Sequence, residues 1–155
     1  MKHTLQIETE QSMKDVADTL VTFTKGKRLC VLLEGDLGAG KTTWMRYYLR
    51  ALGYKGHVVS PTYTLLEEYD VDETGIVHSD CYRLSRDDLF WLDFNSYHES
   101  DKSYQLWIEW GKQYSDILPP CDLLIEIKFC ENLDSREMVF SSPIKTYNWA
   151  NIFRS

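Results

Sequence analysis

The chemistry-bearing residues of this chain gather first in GDLGAGKTT, positions 35–43. Gly35, Gly40, Lys41 and Thr42 match the spacing G-x-x-x-x-G-K-[ST]. The glycines let the backbone turn tightly, so that N–H groups from Asp36, Leu37, Gly38, Ala39 and Thr43 can converge on an anion. Lys41 reaches the β/γ-phosphates of a nucleotide, and the Thr42 hydroxyl suits Mg²⁺. A helix starting here adds the positive end of its dipole. The chain lacks the Asn-Lys-x-Asp segment with which GTPases of this scaffold read guanine, so ATP or ADP is the expected ligand.

A nucleotide-bound metal calls for carboxylates. Two short apolar runs end in one: IVHSD in Asp80 and LWIE in Glu109. Ligands of open α/β sheets sit at the carboxyl ends of the strands. Asp80 and Glu109 are therefore expected to face the Mg²⁺ beside Thr42, one on the ion and the other on its water shell or the attacking water. Thr62 and Thr64 lie in an extended segment suited to sensing a γ-phosphate, with Thr64 read as an ordinary loop threonine. Arg83 either neutralises phosphate charge or pairs with Asp80 or Asp87. His78 reads as a packed strand histidine. Of Trp107 and Trp110, one is expected in the core and the other beside the site.

The positioning elements follow from periodicity. Met13, Val16, Ala17 and Leu20 recur at i, i+3, i+4, i+7 and predict a helix over 10–24. LCVLLE (29–34) has the continuous apolar character of a strand buried on both faces, and a helix over 42–52 follows the loop. VVSPTYTLLEEYD (58–70) reads as extended, DETG (72–75) as a turn and IVHSD (76–80) as a strand. Ser85 with Asp88 predicts a helix start over RDDLFWL. Residues 95–103 read as a polar loop. YQLWIE (104–109), DLLIEIKF (122–129) and REMVFS (136–141) read as strands, and 146–153 as a short helix. Helices and strands interleave, with several connections too short for a crossover. The expectation is an α/β fold: one P-loop NTPase domain over 1–155 with a mixed central sheet flanked by helices.

The net charge of −7 disfavours direct nucleic-acid binding, so an RNA substrate would be held by a partner. The first ten residues lack an apolar run, no segment has the length of a membrane span, and the four cysteines form no CxxC pair. Reduced thiols in a cytoplasmic protein are expected.

GDLGAGKTT, SPTYTL, HSDCYRL and IEW, in this order and spacing, resemble the bacterial TsaE (YjeE) family over about residues 10–140. The resemblance implies a small P-loop ATPase needed for threonylcarbamoyladenosine in tRNAs reading A-starting codons. It implies Gly35 to Thr43 as the ATP-phosphate loop, Thr42 and Glu109 as Mg²⁺ ligands, and Asp80 as the acid near the metal. It places Thr62 in a switch-like segment and Trp110 beside the site. Arg136 takes the place of a nucleotide-reaching arginine on a late strand, and Glu10 or Ser12 borders the base. The implied partners are TsaD and TsaB, with tRNA met only through their complex. Two departures stand out: Cys81 replaces a large apolar residue, and 86–103 keeps little of the usual spacing. A small-molecule kinase on the same scaffold is the alternative. It would need a basic lid, and 86–103 carries Arg86 and Lys102 among more acids than bases. A third reading is a non-catalytic, nucleotide-dependent adaptor.

Overall fold

The computed structural model describes residues 2–143 and 148–153. The chain forms β1 (Lys2–Ile7), α1 (Glu10–Thr24), β2 (Leu29–Glu34), α2 (Lys41–Leu52), β3 (Leu66–Val71) and β4 (Thr74–Asp80). It continues through α3 (Arg86–Leu92), α4 (Phe94–Glu99), β5 (Ser103–Glu109), a 3-10 turn (Lys112–Tyr114), β6 (Leu123–Phe129), β7 (Arg136–Ser141) and α5 (Trp149–Ile152). The strands make one seven-stranded sheet in the order β1-β7-β6-β2-β5-β4-β3. The central strands β6, β2, β5 and β4 are mutually parallel. β1, β7 and β3 pair antiparallel at the two edges. The expected mixed α/β sheet is therefore observed.

Parallel strands need cover on both faces. On one face α1, α2 and α5 close a core around Trp44, Tyr48 and Trp107, with the Tyr48 and Trp107 rings 4.3 Å apart. Beneath them Thr24, Tyr48 and Gln105 satisfy one another through hydrogen bonds of 2.7 Å. On the other face α3 and α4 cover Leu106, Ile108 and Val77. Ser85 and Asp88 form the expected capping box of α3.

Three expectations change. The segment 95–103 is not a loop throughout, because Phe94–Glu99 is helical. It has no apolar period. It is held instead by buried Phe94, by Asp93 accepting from Ser96 N at 3.3 Å, and by Arg28, whose guanidinium takes the carbonyls of His98 and Ser100. Residues 61–64 fold into a turn closed by Leu65 N donating to Pro61 O at 2.9 Å, so the extended run is broken there. β1 is an additional strand. Its half-buried His3 and Leu5 and buried Ile7 alternate with exposed Lys2, Thr4 and Gln6, and it pairs with β7. The helix expected over 146–153 is seen as Trp149–Ile152, while 146 and 147 lie outside the described residues.

Candidate functional site

The loop between β2 and α2 is shaped by contacts that only glycine permits. A Cβ on Gly35 would lie 2.6 Å from the Ile127 carbonyl oxygen of β6. Gly38 and Gly40 have φ of 79° and 114°, in the left-handed region that disfavours side chains. Gly40 caps α2 with no side-chain hydrogen bond, so it leaves the first N–H groups of the helix without a side-chain partner. Lys41 is 6% exposed. Its ammonium donates to the carbonyls of Gly35 and Asp36, the latter at 3.1 Å, and lies 4.8 Å from the Trp110 ring centroid. A buried ammonium must be paired. Here its polar partners are two neutral carbonyls, which carry no countercharge.

The strand ends supply the acids. In the parallel register Asp80 stands opposite Glu109, and Leu33 stands opposite Glu109 on the other side. Asp80, Glu109, Lys41 and Thr42 converge with Thr62 and Trp110 on one cavity of about 210 Å³. Leu37, Gly38 and Ser60 complete its wall. Asp80 accepts from Tyr82 N at 2.9 Å, and Thr62 shares a 2.8 Å hydrogen bond with Ser60. Glu109 is buried, with Oε1 2.7 Å from His78 Nε2. Trp110 has φ of 57°, and its ring lies 5.0 Å from that of Tyr82. Trp107 is the core tryptophan, and Trp110, which follows the last residue of β5, is the one beside the site.

The hydroxyl and carboxylate donors are hard oxygens, the set that suits Mg²⁺. Among the described residues no three His, Cys, Asp or Glu side chains cluster into an all-protein metal site.

A second cavity of about 200 Å³ lies on the other side of the loop. Glu10, Gly40, Thr43 and Arg136 line it together with Met13 and Tyr47. Arg136 Nε donates to Ala39 O at 3.0 Å, which ties the loop to β7. Ser12 does not line this cavity. Its backbone N–H and hydroxyl are engaged by Thr9 Oγ1 at 3.0 and 2.8 Å, which caps α1. Asp36 is exposed and Ala39 buried, so both serve the loop through their backbones.

Arg83 is exposed and pairs with neither Asp80 nor Asp87 among the described residues. Thr64 bonds Glu67 at 2.7 Å, as an ordinary loop threonine does. Three residues beside the two cavities escape a reading of the sequence for site residues. Ser60 opens SPTYTL, but nothing local in that segment singles it out beside Thr62 as a lining residue. Tyr47 lies four residues after Thr43 on the same helical face, and that spacing was a usable signal. The Tyr47 hydroxyl is buried without a partner among the described residues. The third is His78, a packed strand histidine that also bonds Glu109.

Strand, glycine-rich loop and helix open beside two strand-end carboxylates at the carboxyl edge of a mixed sheet, in an α/β fold. The family described as threonylcarbamoyl adenosine biosynthesis protein TsaE matches residues 7–138. The chain belongs to the TsaE family. It is 38% identical over 127 residues to the tRNA threonylcarbamoyladenosine biosynthesis protein TsaE of Haemophilus influenzae, covering 81% of this chain and 79% of that one. It is 33% identical over 137 residues to the Bacillus subtilis protein of the same name, covering 88% and 84%. A crystal structure of Bacillus subtilis YdiB superposes with a TM-score of 0.78 at 26% identity, covering 98% of this chain and 94% of that one.

Proposed function

We propose that this protein is a Mg²⁺-dependent ATPase of tRNA threonylcarbamoyladenosine biosynthesis. It acts with the TsaD–TsaB pair in the cytoplasm and resets that complex between rounds of modification. Family membership supports the pathway. The observation that carries the chemistry is the single cavity joining Lys41, Thr42, Asp80 and Glu109. In this reading Lys41 holds the β/γ-phosphates, and Thr42 and Glu109 hold the ion. Asp80 orders its water shell. The second cavity takes the base and ribose, with Glu10 and Arg136 at its rim and Ser12 behind them. The cations of the 86–103 segment lend support to hydrolysis over the kinase alternative, because Arg86 pairs with Asp116 and Lys102 with Asp70 rather than facing the cavity.

The test is multiple-turnover formation of threonylcarbamoyladenosine by TsaD–TsaB with the intact protein or with Glu109→Ala. The variant should support the first round and stall afterwards, and it should release little phosphate from ATP. Equal yields over many rounds would refute the reset role. A phosphorylated metabolite in place of free phosphate would turn the assignment to a kinase.

A further inference from the structure

The geometry points to His78 as the residue that positions Glu109. His78 is 0% exposed on β4, opposite Trp107 of β5 and Glu67 of β3. Asp80 is two residues further along the same strand, so His78, Asp80, Trp107 and Glu109 share one face of the sheet. That face lies under α2, where the Trp107 ring packs 6.4 Å from Trp44. His78 thus occupies the layer just below the cavity floor and lines no part of the cavity itself.

The His78 side chain makes a 2.7 Å hydrogen bond to Glu109 Oε1. A carboxylate only accepts, so Nε2 is the donor. Nδ1 is buried and has no partner among the described residues, so the ring is anchored by Glu109 and by packing. Engaging Oε1 leaves Oε2 as the oxygen open to the cavity. It also fixes the rotation of a carboxylate that Trp107 and the β5 backbone alone would let turn. A carboxylate ligand held by an outer hydrogen bond presents a single oxygen to a metal at no further cost in ordering. His78 touches neither cavity nor ion, so its part is positioning. The inference rests on the reading of Glu109 as a metal ligand.

The test uses the full chain with ADP bound and Mn²⁺ as the probe, followed by electron paramagnetic resonance. His78→Met keeps the bulk and removes the donor. It should weaken Mn²⁺ binding by about 10–100-fold, the range for loss of an outer-sphere partner. ADP affinity without metal should be unchanged. His78→Gln, whose amide reaches toward the same oxygen, should restore most of the loss. In ATP turnover the methionine variant should lower kcat with KM held. Should it melt out at working temperature, His78→Asn replaces it, since that amide ends short of Glu109. Unchanged Mn²⁺ affinity in the donor-less variant, with affinity lost in Glu109→Gln, would overturn the positioning role and leave Glu109 at the metal. Unchanged affinity in both would remove Glu109 from the metal and the inference with it.

Discussion

Lys41→Ala removes the one cation that faces the phosphate cavity among the described residues. A charge-assisted contact is worth about 1.5–3 kcal/mol, so ATP and ADP should bind roughly 10–100-fold more weakly by calorimetry. An unchanged affinity would mean that the cavity holds something other than phosphate. Trp110 stands beside that ammonium, and its ring should lose or gain emission when Lys41 turns to a phosphate. Trp110→Phe should abolish most of the nucleotide-dependent change, because Trp110 lines the cavity and Trp107 is sealed in the core. The departure at Cys81 also has a physical reading. The side chain is fully buried against Leu84, Leu89 and Ile108, where a thiol packs as a small hydrophobe. Burial, and then the Asp80 charge beside it, push the Cys81 thiol up to about 12. Burial likewise pushes Cys30 up. Both should resist iodoacetamide at pH 8 while half-buried Cys130 reacts, as peptide mapping by mass spectrometry would show. The sign for stability follows. Above the ordinary thiol value of 9.0 the unfolded chain gives up these protons and the folded chain keeps them. Stability should therefore fall as pH climbs from 9 toward 12.

At the scale of elements, α4 depends on a contact made far away in sequence. Arg28→Ala strips the His98 and Ser100 carbonyls of their donor, and a lost hydrogen bond of this charged kind costs about 1.5–3 kcal/mol. The variant should melt several degrees lower while keeping the affinity for ADP, since α4 packs on β5 away from the loop. This also explains what the sequence could and could not show. α1, β2, α2 and β5 were legible because each writes its own burial into a period or a continuous apolar run. α3 was legible because Ser85 and Asp88 are a local cap. α4 was not, because Arg28 lies seventy residues before the carbonyls it holds. β1 was passed over because only Leu5 and Ile7 are apolar in its alternation, and its partner β7 lies at the other end of the chain. The site divides in the same way. Lys41, Thr42, Asp80 and Glu109 announce themselves by motif or strand end. The pairing of His78 with Glu109 exists only once β4 and β5 are in register. Ser12 illustrates a different case: its N–H and hydroxyl are engaged in the α1 cap by Thr9, a contact three residues away.

For the whole molecule, the charge and the layout of cations are consistent with the proposed action through a partner. The surface carries a net −7, which repels tRNA phosphates. Arg136 is committed to the Ala39 carbonyl and to Ser135 O at 3.0 Å, and Arg83 lies outside the cavity lining. No arginine and no glutamine among the described residues lines the phosphate cavity. P-loop enzymes without such a group turn over slowly, and a supplied arginine raises kcat by about 10³–10⁵. Purified alone, the protein should therefore release phosphate slowly, and TsaD–TsaB should accelerate it. The face that meets the pair should lie at the cavity mouth, where Leu37 is 68% and Tyr63 is 88% exposed. Tyr63 belongs to the turn that presents Thr62 to the cavity, so in the proposed ATPase a γ-phosphate ordering Thr62 would also fix Tyr63. Tyr63→Ser removes a large exposed ring without touching the loop or the acids. It should leave the slow intrinsic turnover and the ADP affinity as they are, while lowering the stimulation by TsaD–TsaB and the ATP-dependent association measured by light scattering. If stimulation survives in full, the partner approaches from elsewhere, and the turn closed between Pro61 and Leu65 serves the nucleotide alone.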